Sequence, residues 1–500
     1  MMVARLMLKM ENKGTISHSI KWAFLTEIIV KLISPITSMI LARLIDPGAF
    51  GVVSSVLIIT AFAEMFTDAG FQSYLIRCQF KSDMEFEKYI NVVFWTNFAI
   101  SACFVVGIFF SAPTLAKIVN VEEYVDAIRI YSCILLLTSY SGTLYAVYRK
   151  NFQFKQVGIL RIIAKLTPLF TTVPLAFLGM KVWAIIIGNL ISELVIDILL
   201  FLRSEIKIGI YYNVSYLMKM AQFSVGILLN SIVGWVMTNL SIVMIGVIFS
   251  VYDQGLYQMS FNLVGQITSV ITASTMGVFF SDLSVKQNDD RRFRETVYDY
   301  QKGIGIISIP LGVGFFVFRN FVTDIFLGGL YRDATMIVGT LGLVLSESIT
   351  YLEVGQSICI AKGKPYFVAI GNAMHVVLIG ILFWIFRDGD SKEFLILLCV
   401  IKLQIAISHF CFAKQVSGIR FIRSFLALLP YYIASFVMAC AGWIVLWDIH
   451  SSKLAGVAGI GISVAVYFGV LVLLPKTRCQ VTGYMSGFRN TILRMTRKNV

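Results

Sequence analysis

The sequence is poor in charged residues for its length. Of 500 residues, 14% are charged and 58% are hydrophobic, and the mean hydropathy is +0.81. Apolar runs recur along nearly the whole chain, which excludes a soluble globular protein and predicts a polytopic, all-α membrane protein. A formal net charge of +14 would suit nucleic acid. However, Lys and Arg concentrate in alternate loops, which is typical of a membrane protein, so we predict no nucleic-acid partner.

The sequence also lacks the motifs of metal, disulfide, nucleotide and hydrolase sites. Its eight Cys residues are scattered without a C-x-x-C pair, and its four His residues lie far apart. We therefore predict neither a disulfide framework nor a zinc site. No P-loop, G-x-S-x-G or H-E-x-x-H motif occurs. These absences predict no metal, no cofactor and no enzymatic activity.

Run length, loop charge and Gly or Pro positions predict about fourteen membrane-spanning helices. The predicted spans are 18–45, 48–76, 89–112, 122–148, 156–178, 182–202, 221–249, 253–280, 297–318, 333–360, 365–386, 392–413, 424–447 and 454–474. The basic segment before the first span lacks the pattern of a cleavable signal peptide, so we expect that span to be retained. About 27 basic residues fall in one set of loops and about 7 in the other. The richer set, with both termini, is predicted to face the cytoplasm.

The longest inner connection, residues 203–220, mixes basic and aromatic residues. We predict that it lies on the inner leaflet as a cytoplasmic interfacial linker. It would separate an N-terminal lobe of six helices, residues 1–202, from a C-terminal lobe of six helices, residues 221–413. Residues 414–500 would then form two extra helices and a basic cytoplasmic tail.

Two hairpins, residues 17–77 and 223–280, resemble each other at a shift of about 204 residues. Leu44–Gly51 (LIDPGAFG) falls over Ile248–Gly255 (IFSVYDQG), and both copies place Gly early in the span after the outer turn. Paired six-helix bundles with a binding site between them are a common plan in membrane transporters. We therefore expect the first, second, seventh and eighth spans to enclose a wet cavity.

Ionisable residues are numerous within the predicted spans, although each costs about 2.5–3.5 kcal/mol at the bilayer centre. In the first hairpin, Glu27 and Lys31 lie one turn apart, and Glu64, Asp68 and Gln72 follow at i,i+4 spacing. Glu27 and Lys31 can also be only a local ion pair. The other such residues are Arg129, Arg161, Lys165, Glu193, Asp197, Lys302, Glu347, Glu353, His375, Lys402 and His409.

In the second hairpin the polar residues are neutral. One face of the seventh span carries Asn230, Gly234, Thr238 and Ser241, and one face of the eighth carries Gln258, Asn262, Gln266 and Ser269. In the predicted span 156–178, Arg161 and Lys165 lie near the inner end, so they can alternatively extend to lipid headgroups. The charged first hairpin and the amide-rich second hairpin would form the two sides of one cavity.

Several stretches together resemble one family: SIKWAFLTEIIVKLISPITSMILARLIDPGAFG, FTDAGFQSYLI, NVVFWTNFAIS, APTLAKIVNVEEY, YRKNFQFKQVGI and GMKVWAIIIGNLIS. The chain resembles bacterial Wzx-type lipid-linked oligosaccharide flippases, in the colanic-acid-exporter-like branch of the polysaccharide transporter family. That family belongs to the superfamily of multidrug, oligosaccharidyl-lipid and polysaccharide exporters. The resemblance covers roughly residues 18–330, and the rest of the chain follows the family in its pattern of spans.

The resemblance implies fourteen helices, in two six-helix lobes plus two extra helices, in the bacterial cytoplasmic (inner) membrane. It implies a substrate, undecaprenyl-pyrophosphate-linked oligosaccharide, moved from the inner to the outer leaflet for capsule, exopolysaccharide or O-antigen assembly. Membrane lipids, the polysaccharide polymerase and the chain-length machinery are the other partners that it implies. The sequence departs from the family at Val247, which matches Arg43 of the first hairpin and where members often carry a basic residue.

Moving a diphosphate and sugars through about 30 Å of hydrocarbon requires a basic, hydrated passage. For the diphosphate the candidates are Lys31, Arg129, Arg161 and Lys165, and for the sugar hydroxyls they are Asn230, Gln258, Asn262 and Gln266. The candidate ion-coupling carboxylates are Asp68, Glu64 and Glu27.

Two other functions remain open. A drug–cation antiporter of the same superfamily would need an anionic, aromatic-lined cleft, which the many internal Lys and Arg residues disfavour. A membrane-embedded polysaccharide polymerase or ligase would need a large outer loop, and the outer loops of this chain are short.

Overall fold

The computed structural model describes residues 13–478 apart from 69, 205, 207, 388, 449–452 and 476, and these residues contain helices and no strands. The helices of the first half are α1 (Lys13–Leu44), α2 (Pro47–Asp68), α3 (Phe71–Arg77), α4 (Asp83–Ile118), α5 (Val125–Ser132), α6 (Ile134–Lys150), α7 (Phe154–Phe170), α8 (Thr172–Phe177), α9 (Lys181–Arg203) and α10 (Val214–Ile248). Those of the second half are α11 (Val251–Val285), α12 (Asp290–Val317), α13 (Arg319–Phe326), α14 (Thr335–Ser348), α15 (Val354–Ala361), α16 (Tyr366–Phe386), α17 (Ser391–Ser417), α18 (Phe421–Asp448) and α19 (Lys453–Leu473). A π-helical turn, Ile349–Glu353, joins α14 to α15.

The prediction of a polytopic, all-α membrane protein is confirmed. In the part of the chain that the structure describes, twelve helical segments are long and apolar enough to cross a membrane, or thirteen when the bent α11 counts as one. Helix α1 lies at the place of the first predicted span. The basic N-terminal segment and most of the basic tail lie outside the described residues.

Three helices begin earlier than predicted because polar caps extend them beyond the apolar run. Before α4, the Ser82 hydroxyl accepts a hydrogen bond from a backbone N–H at 3.2 Å. The Asn213 side chain does the same before α10 at 2.8 Å, and Asp289 does so before α12 at 3.0 and 3.1 Å. Such caps satisfy N–H groups of the first turn, which have no partner within the helix.

The prediction of one unbroken second span, 48–76, is wrong. Helix α2 ends at Asp68, and α3 begins at Phe71, after Gly70 with a left-handed φ of 79°. A Cβ at Gly70 would lie 2.9 Å from the Ile227 side chain, so both the backbone angle and the packing favour glycine. The stripe through Glu64, Asp68 and Gln72 is therefore not one continuous helical face.

The chain divides into two compact units, 1–259 and 260–500. In the first unit, buried apolar side chains form separate clusters, one around Val56 and Ile186 and another around Phe86 and Met220. Helix α10 packs against α2, α3 and α4 within this unit. The predicted lobe boundary at the linker stays a prediction.

Within the first unit, α2 and the start of α11 cross in close contact. A Cβ added at Gly51 would lie 1.7 Å from the Val251 carbonyl oxygen, and one added at Gly255 would lie 1.8 Å from the Pro47 carbonyl oxygen. At the repeat shift, Pro47 and Gly51 correspond to Val251 and Gly255. The two copies of the repeat therefore contact each other reciprocally, at a crossing that only glycine permits.

The correspondence extends to the starts of both helices. Asp46 accepts a hydrogen bond from the backbone N–H three residues later at 3.0 Å, and Ser250 accepts the equivalent bond at 3.1 Å. Beside the crossing, the buried Ser55 hydroxyl donates to the Gln254 amide oxygen at 2.9 Å. The residues of the predicted turn after α1 thus cap and position α2.

The linker before α10 is tied to α4 by hydrogen bonds. The Gly209 N–H donates to Asn91 Oδ1 at 2.7 Å, and the Trp95 indole donates to the Gly209 carbonyl at 2.9 Å. The hydroxyls of Thr96 and Tyr212 lie 3.2 Å apart. Gly209 and Tyr212 of the linker are therefore anchored along one helix.

In the second unit, the main apolar core joins the end of α11 to α12, α15, α17, α18 and α19. The π-helical turn lies within the core, where the Gln301 amide donates to the Thr350 carbonyl at 3.1 Å. Nearby, the Tyr432 hydroxyl donates to the Glu347 carboxylate at 2.6 Å. These bonds satisfy polar groups that the apolar core encloses.

Lys150, at the end of α6, caps α3 in the first unit. Its ammonium group donates to the Leu75 carbonyl at 2.9 Å and to the Cys78 carbonyl. The rings of Phe80 and Phe86 lie 4.7 and 5.4 Å from the same nitrogen. The Lys150 ammonium group therefore caps the C-terminal end of a two-turn helix, where the helix dipole favours positive charge.

Lys150→Met is expected to lower the free energy of unfolding by roughly 2–3 kcal/mol, because the carbonyls lose a charged donor while the side-chain volume is kept. The shift is measured as a lower Tm of the purified protein. Lys155→Met is the control, because Lys155 lies 5.1 Å from the Trp22 ring and has no carbonyl contact in the described residues. An equal loss of Tm in both variants would contradict the capping role.

Candidate functional site

A polar pocket of about 540 Å³ lies among α2, α3, α4, α6, α9 and α10 of the first unit. Its polar lining includes Glu64, Gln72, Asn97, Ser141, Arg149 and Glu193. The helices that carry these residues are otherwise apolar and long enough to cross a membrane, except the short α3. Polar groups at such depth are expensive and normally line a functional cavity.

Gly142 makes room for one side of this pocket. A Cβ at Gly142 on α6 would lie 2.5 Å from the amide nitrogen of Gln72 on α3. The break between α2 and α3 thus brings Gln72 to the same pocket as Glu64, although the two residues lie on different helices. Of the predicted stripe, Glu64 and Gln72 thus line one pocket from two helices, and the side chain of Asp68 lies outside the described residues.

Glu193 on α9 is an acid of the pocket that accepts a short hydrogen bond. The Ser141 hydroxyl donates to its Oε1 atom at 2.5 Å. Asp197 lies one turn further along α9 and buries an oxygen, Oδ1, that has no hydrogen-bond partner among the described residues. In the same part of the chain, neither acid forms an ion pair.

Asn97 on α4 contributes an unpaired carbonyl group. Its side chain is 1% exposed, and within the described residues its Oδ1 atom has no hydrogen-bond donor. Buried amide oxygens are seldom left without a donor or a ligand. Asn97 lies within the stretch NVVFWTNFAIS, where an amide in the middle of a mostly apolar run was the available signal.

The predicted site residues are distributed more widely than this pocket. Glu64 lines the pocket. Asn230 is exposed, and its neighbour Ser231 lines the pocket instead. Glu27 and Asp68 have side chains outside the described residues. Sequence reasoning identified Glu193 as an intramembrane charge without giving it a role. It missed Asn97, Ser141 and Arg149, because no local pattern brings α4, α6 and α9 together.

The other predicted residues lie elsewhere on the helices. Lys31 is half-buried on α1, and Arg161 and Lys165 are exposed on α7. Arg129 forms an ion pair with Asp126 at 3.1 Å, and its guanidinium lies 4.9 Å from the Phe109 ring centre. The partly buried amides one turn apart on α11 are Gln258, Asn262 and Gln266.

An apolar pocket of about 660 Å³ lies beside the polar one, among α2, α4 and α10. Phe62, Phe104, Gly107 and Trp235 line it, and the rings of Phe62 and Trp235 lie 5.1 Å apart. The first unit therefore separates a polar cavity from an apolar one.

Residues 40–336 match the sequence profile of a family described as polysaccharide biosynthesis protein. The chain belongs to this family. It is 23% identical over 487 residues to the succinoglycan biosynthesis transport protein ExoT of Rhizobium meliloti (strain 1021), which covers 93% of this chain and 94% of that protein. It is 22% identical over 428 residues to the lipopolysaccharide biosynthesis protein WzxC of Escherichia coli (strain K12), with 85% and 86% covered.

Among solved structures, the fold resembles one titled lipid II flippase MurJ, inward closed conformation. The TM-score is 0.71 at 14% sequence identity, over 90% of this chain and 98% of that chain. This likeness shows the fold, and the relatives and family confirm the predicted resemblance. The chain is thus a multi-pass bacterial membrane protein of the predicted family.

Proposed function

We propose that this protein flips undecaprenyl-pyrophosphate-linked oligosaccharide repeat units from the inner to the outer leaflet by alternating access. The observation that carries the proposal is the polar pocket, because it lies within membrane-spanning helices of a chain from a polysaccharide biosynthesis family. The names of ExoT, a succinoglycan transport protein, and WzxC, a lipopolysaccharide biosynthesis protein, support the same class of substrate.

The pocket chemistry suits a sugar head group. Glu64 and Gln72 offer a carboxylate and an amide, which bind vicinal hydroxyls through directed hydrogen bonds. Arg149 adds a planar guanidinium, which suits a phosphate oxygen pair. The prenyl tail gains about 0.8 kcal/mol per CH₂ in hydrocarbon, so it stays in lipid while the head group moves through the protein.

The remaining basic candidates would act along the path of the diphosphate. Lys31 on α1 and the pair Arg161 and Lys165 on α7 belong to helices that pack together. Arg129 already has Asp126 and Phe109 as partners, so it would have to exchange them for a phosphate. The amides of α11 stay candidates for sugar binding, and Glu64, Glu27 and Asp68 stay candidates for coupling to an ion or proton gradient.

Fractionation of lipid-linked intermediates tests the proposed function. A deletion strain is expected to accumulate lipid-linked repeat units on the inner leaflet, and the wild-type chain should restore export. Single repeat units accumulating outside would instead indicate a polymerase or ligase. Unchanged lipid intermediates together with greater sensitivity to cationic drugs would indicate a drug–cation antiporter.

Lys31→Ala is expected to reduce export at least about tenfold, since one charge-assisted contact is worth about 1.5–3 kcal/mol. Export is measured by complementation of the deletion strain, with the amount of protein in the membrane determined in parallel. Lys117→Ala, at the exposed end of α4, is the control and should complement fully. Full complementation by Lys31→Ala would remove its role in binding the diphosphate.

A further inference from the structure

The polar pocket contains a combination that the proposed binding of sugars does not require. It joins an acid without an ion pair, an amide oxygen without a donor and a row of hydroxyls. We propose that Glu193, Asn97 and the hydroxyls of Ser139 and Ser141 form a binding site for a small monovalent cation such as Na⁺. Only the role of this site in coupling cation binding to transport rests on the proposed function.

The hydroxyl groups are oriented to accept a cation. The Ser141 hydroxyl hydrogen is used toward Glu193 at 2.5 Å, and the Ser139 hydroxyl hydrogen is used toward the Leu136 carbonyl at 2.6 Å. Each oxygen therefore keeps its lone pairs for another partner. Carboxylate, amide and hydroxyl oxygens are the ligands that hard cations prefer.

Asn97 supplies the observation that distinguishes a cation site from a cluster of acids. Its side chain is 1% exposed and lines the pocket, and its amide oxygen lacks a donor within the described residues. A second carboxylate cannot satisfy that oxygen, because an ionised carboxylate only accepts hydrogen bonds. A cation satisfies the amide oxygen and neutralises Glu193 at the same time.

The charge of the site favours a monovalent over a divalent ion. Glu193 accepts a hydrogen bond from the Ser141 hydroxyl, and a single positive charge would neutralise this carboxylate among membrane-spanning helices. In the described part of the chain, no group of three His, Cys, Asp or Glu residues could hold a metal ion. Divalent cations usually require more anionic ligands than one.

Other charged groups near the site set its surroundings. Glu64 and Arg149 also line the pocket, and their opposite charges cancel. The net charge of the pocket therefore comes from Glu193. Asp197, one turn along α9, has a buried oxygen without a partner among the described residues.

The test measures binding of ²²Na⁺ to the full-length protein in phospholipid nanodiscs, with choline chloride keeping the ionic strength constant. We expect one saturable Na⁺ per chain, and at least tenfold weaker binding in both Glu193→Gln and Asn97→Ala. Glu347→Gln is the matched control, because Glu347 likewise accepts a hydroxyl hydrogen bond at 2.6 Å, from Tyr432. That variant should bind Na⁺ like the wild type.

A second measurement keeps the proposal testable if a variant fails to fold. The Tm of the wild-type protein should rise with NaCl and not with choline chloride, since a ligand stabilises the state that binds it. Equal effects of both salts, or unchanged ²²Na⁺ binding in folded Glu193→Gln, would overturn the site. A trapped water or a proton-carrying Glu193 would give no saturable Na⁺ binding and would overturn it equally. Lipid fractionation is independent of this result, so the flippase function can stand if the cation site fails.

Discussion

Gly51→Ala is expected to lower the free energy of unfolding by at least about 3 kcal/mol, at the upper end of the usual cost of overpacking. The new Cβ would lie 1.7 Å from the Val251 carbonyl oxygen, and the obstacle is backbone rather than a flexible side chain. Gly255→Ala should cost a similar amount, because its Cβ would lie 1.8 Å from the Pro47 carbonyl oxygen. Thermal unfolding of the purified variants measures both effects.

The control for this prediction is Gly226→Ala on α10, where an added Cβ meets nothing within 4 Å. Ala exceeds Gly in helix propensity by about 0.8–1 kcal/mol, so this variant should be neutral or slightly stabilised. The reciprocal geometry further predicts that the double variant of Gly51 and Gly255 loses little more than either single variant. Once one methyl has separated α2 from α11, the second finds room. Additive losses would show that the two contacts are independent.

The helical architecture could be predicted from the sequence because bilayer thickness leaves a strong signal in run length. Apolar runs and loop charge located helices at all fourteen predicted places. The internal repeat matched Gly51 with Gly255, but their mutual contact was found only in the structure. Helix ends were less accurate where polar caps such as Ser82 and Asp289 extended a helix beyond its apolar run. The first turns of these helices are polar, so the length of the apolar run does not predict them.

The break after Asp68 shows why the polar stripe was only partly correct. An i,i+4 pattern presumes an unbroken helix, and Gly70 ends that helix through its left-handed backbone. Glu64 and Gln72 nevertheless line one pocket, because the packing of Gln72 against Gly142 takes the place of the helical register. The i,i+4 spacing therefore grouped Glu64 with Gln72, but it did not predict the helix break and the packing that bring them together.

The pocket as a whole required tertiary structure. Asn97, Ser141 and Glu193 lie on three helices separated by many residues, and no short motif connects them. Arg129 shows the opposite case, because its charge suggested substrate binding while the structure pairs it with Asp126 and Phe109. The presence of a charge within a span can thus be read from the sequence, whereas its partners are determined by packing.

Gly142→Leu is expected to reduce export at least about tenfold while the protein stays folded in the membrane. The Cβ added at Gly142 meets the far end of the flexible Gln72 side chain, so we expect the backbone to remain in place while the polar pocket loses volume and an amide. Misplacing binding groups by about 1 Å can cost two orders of magnitude in rate. Complementation of the deletion strain and the amount of lipid-linked intermediate measure the effect.

Gly107→Leu provides the matched comparison, since Gly107 lines the apolar pocket of the same unit and an added Cβ meets nothing within 4 Å. It inserts the same side chain into a neighbouring cavity without touching the polar groups, and it should retain most export. Gln72→Ala separates the two consequences of Gly142→Leu, because it removes the amide without filling the pocket. A loss in Gly142→Leu that greatly exceeds the loss in Gln72→Ala would mean that the head group occupies this volume. Full export by Gly142→Leu would place the route of the substrate outside the polar pocket.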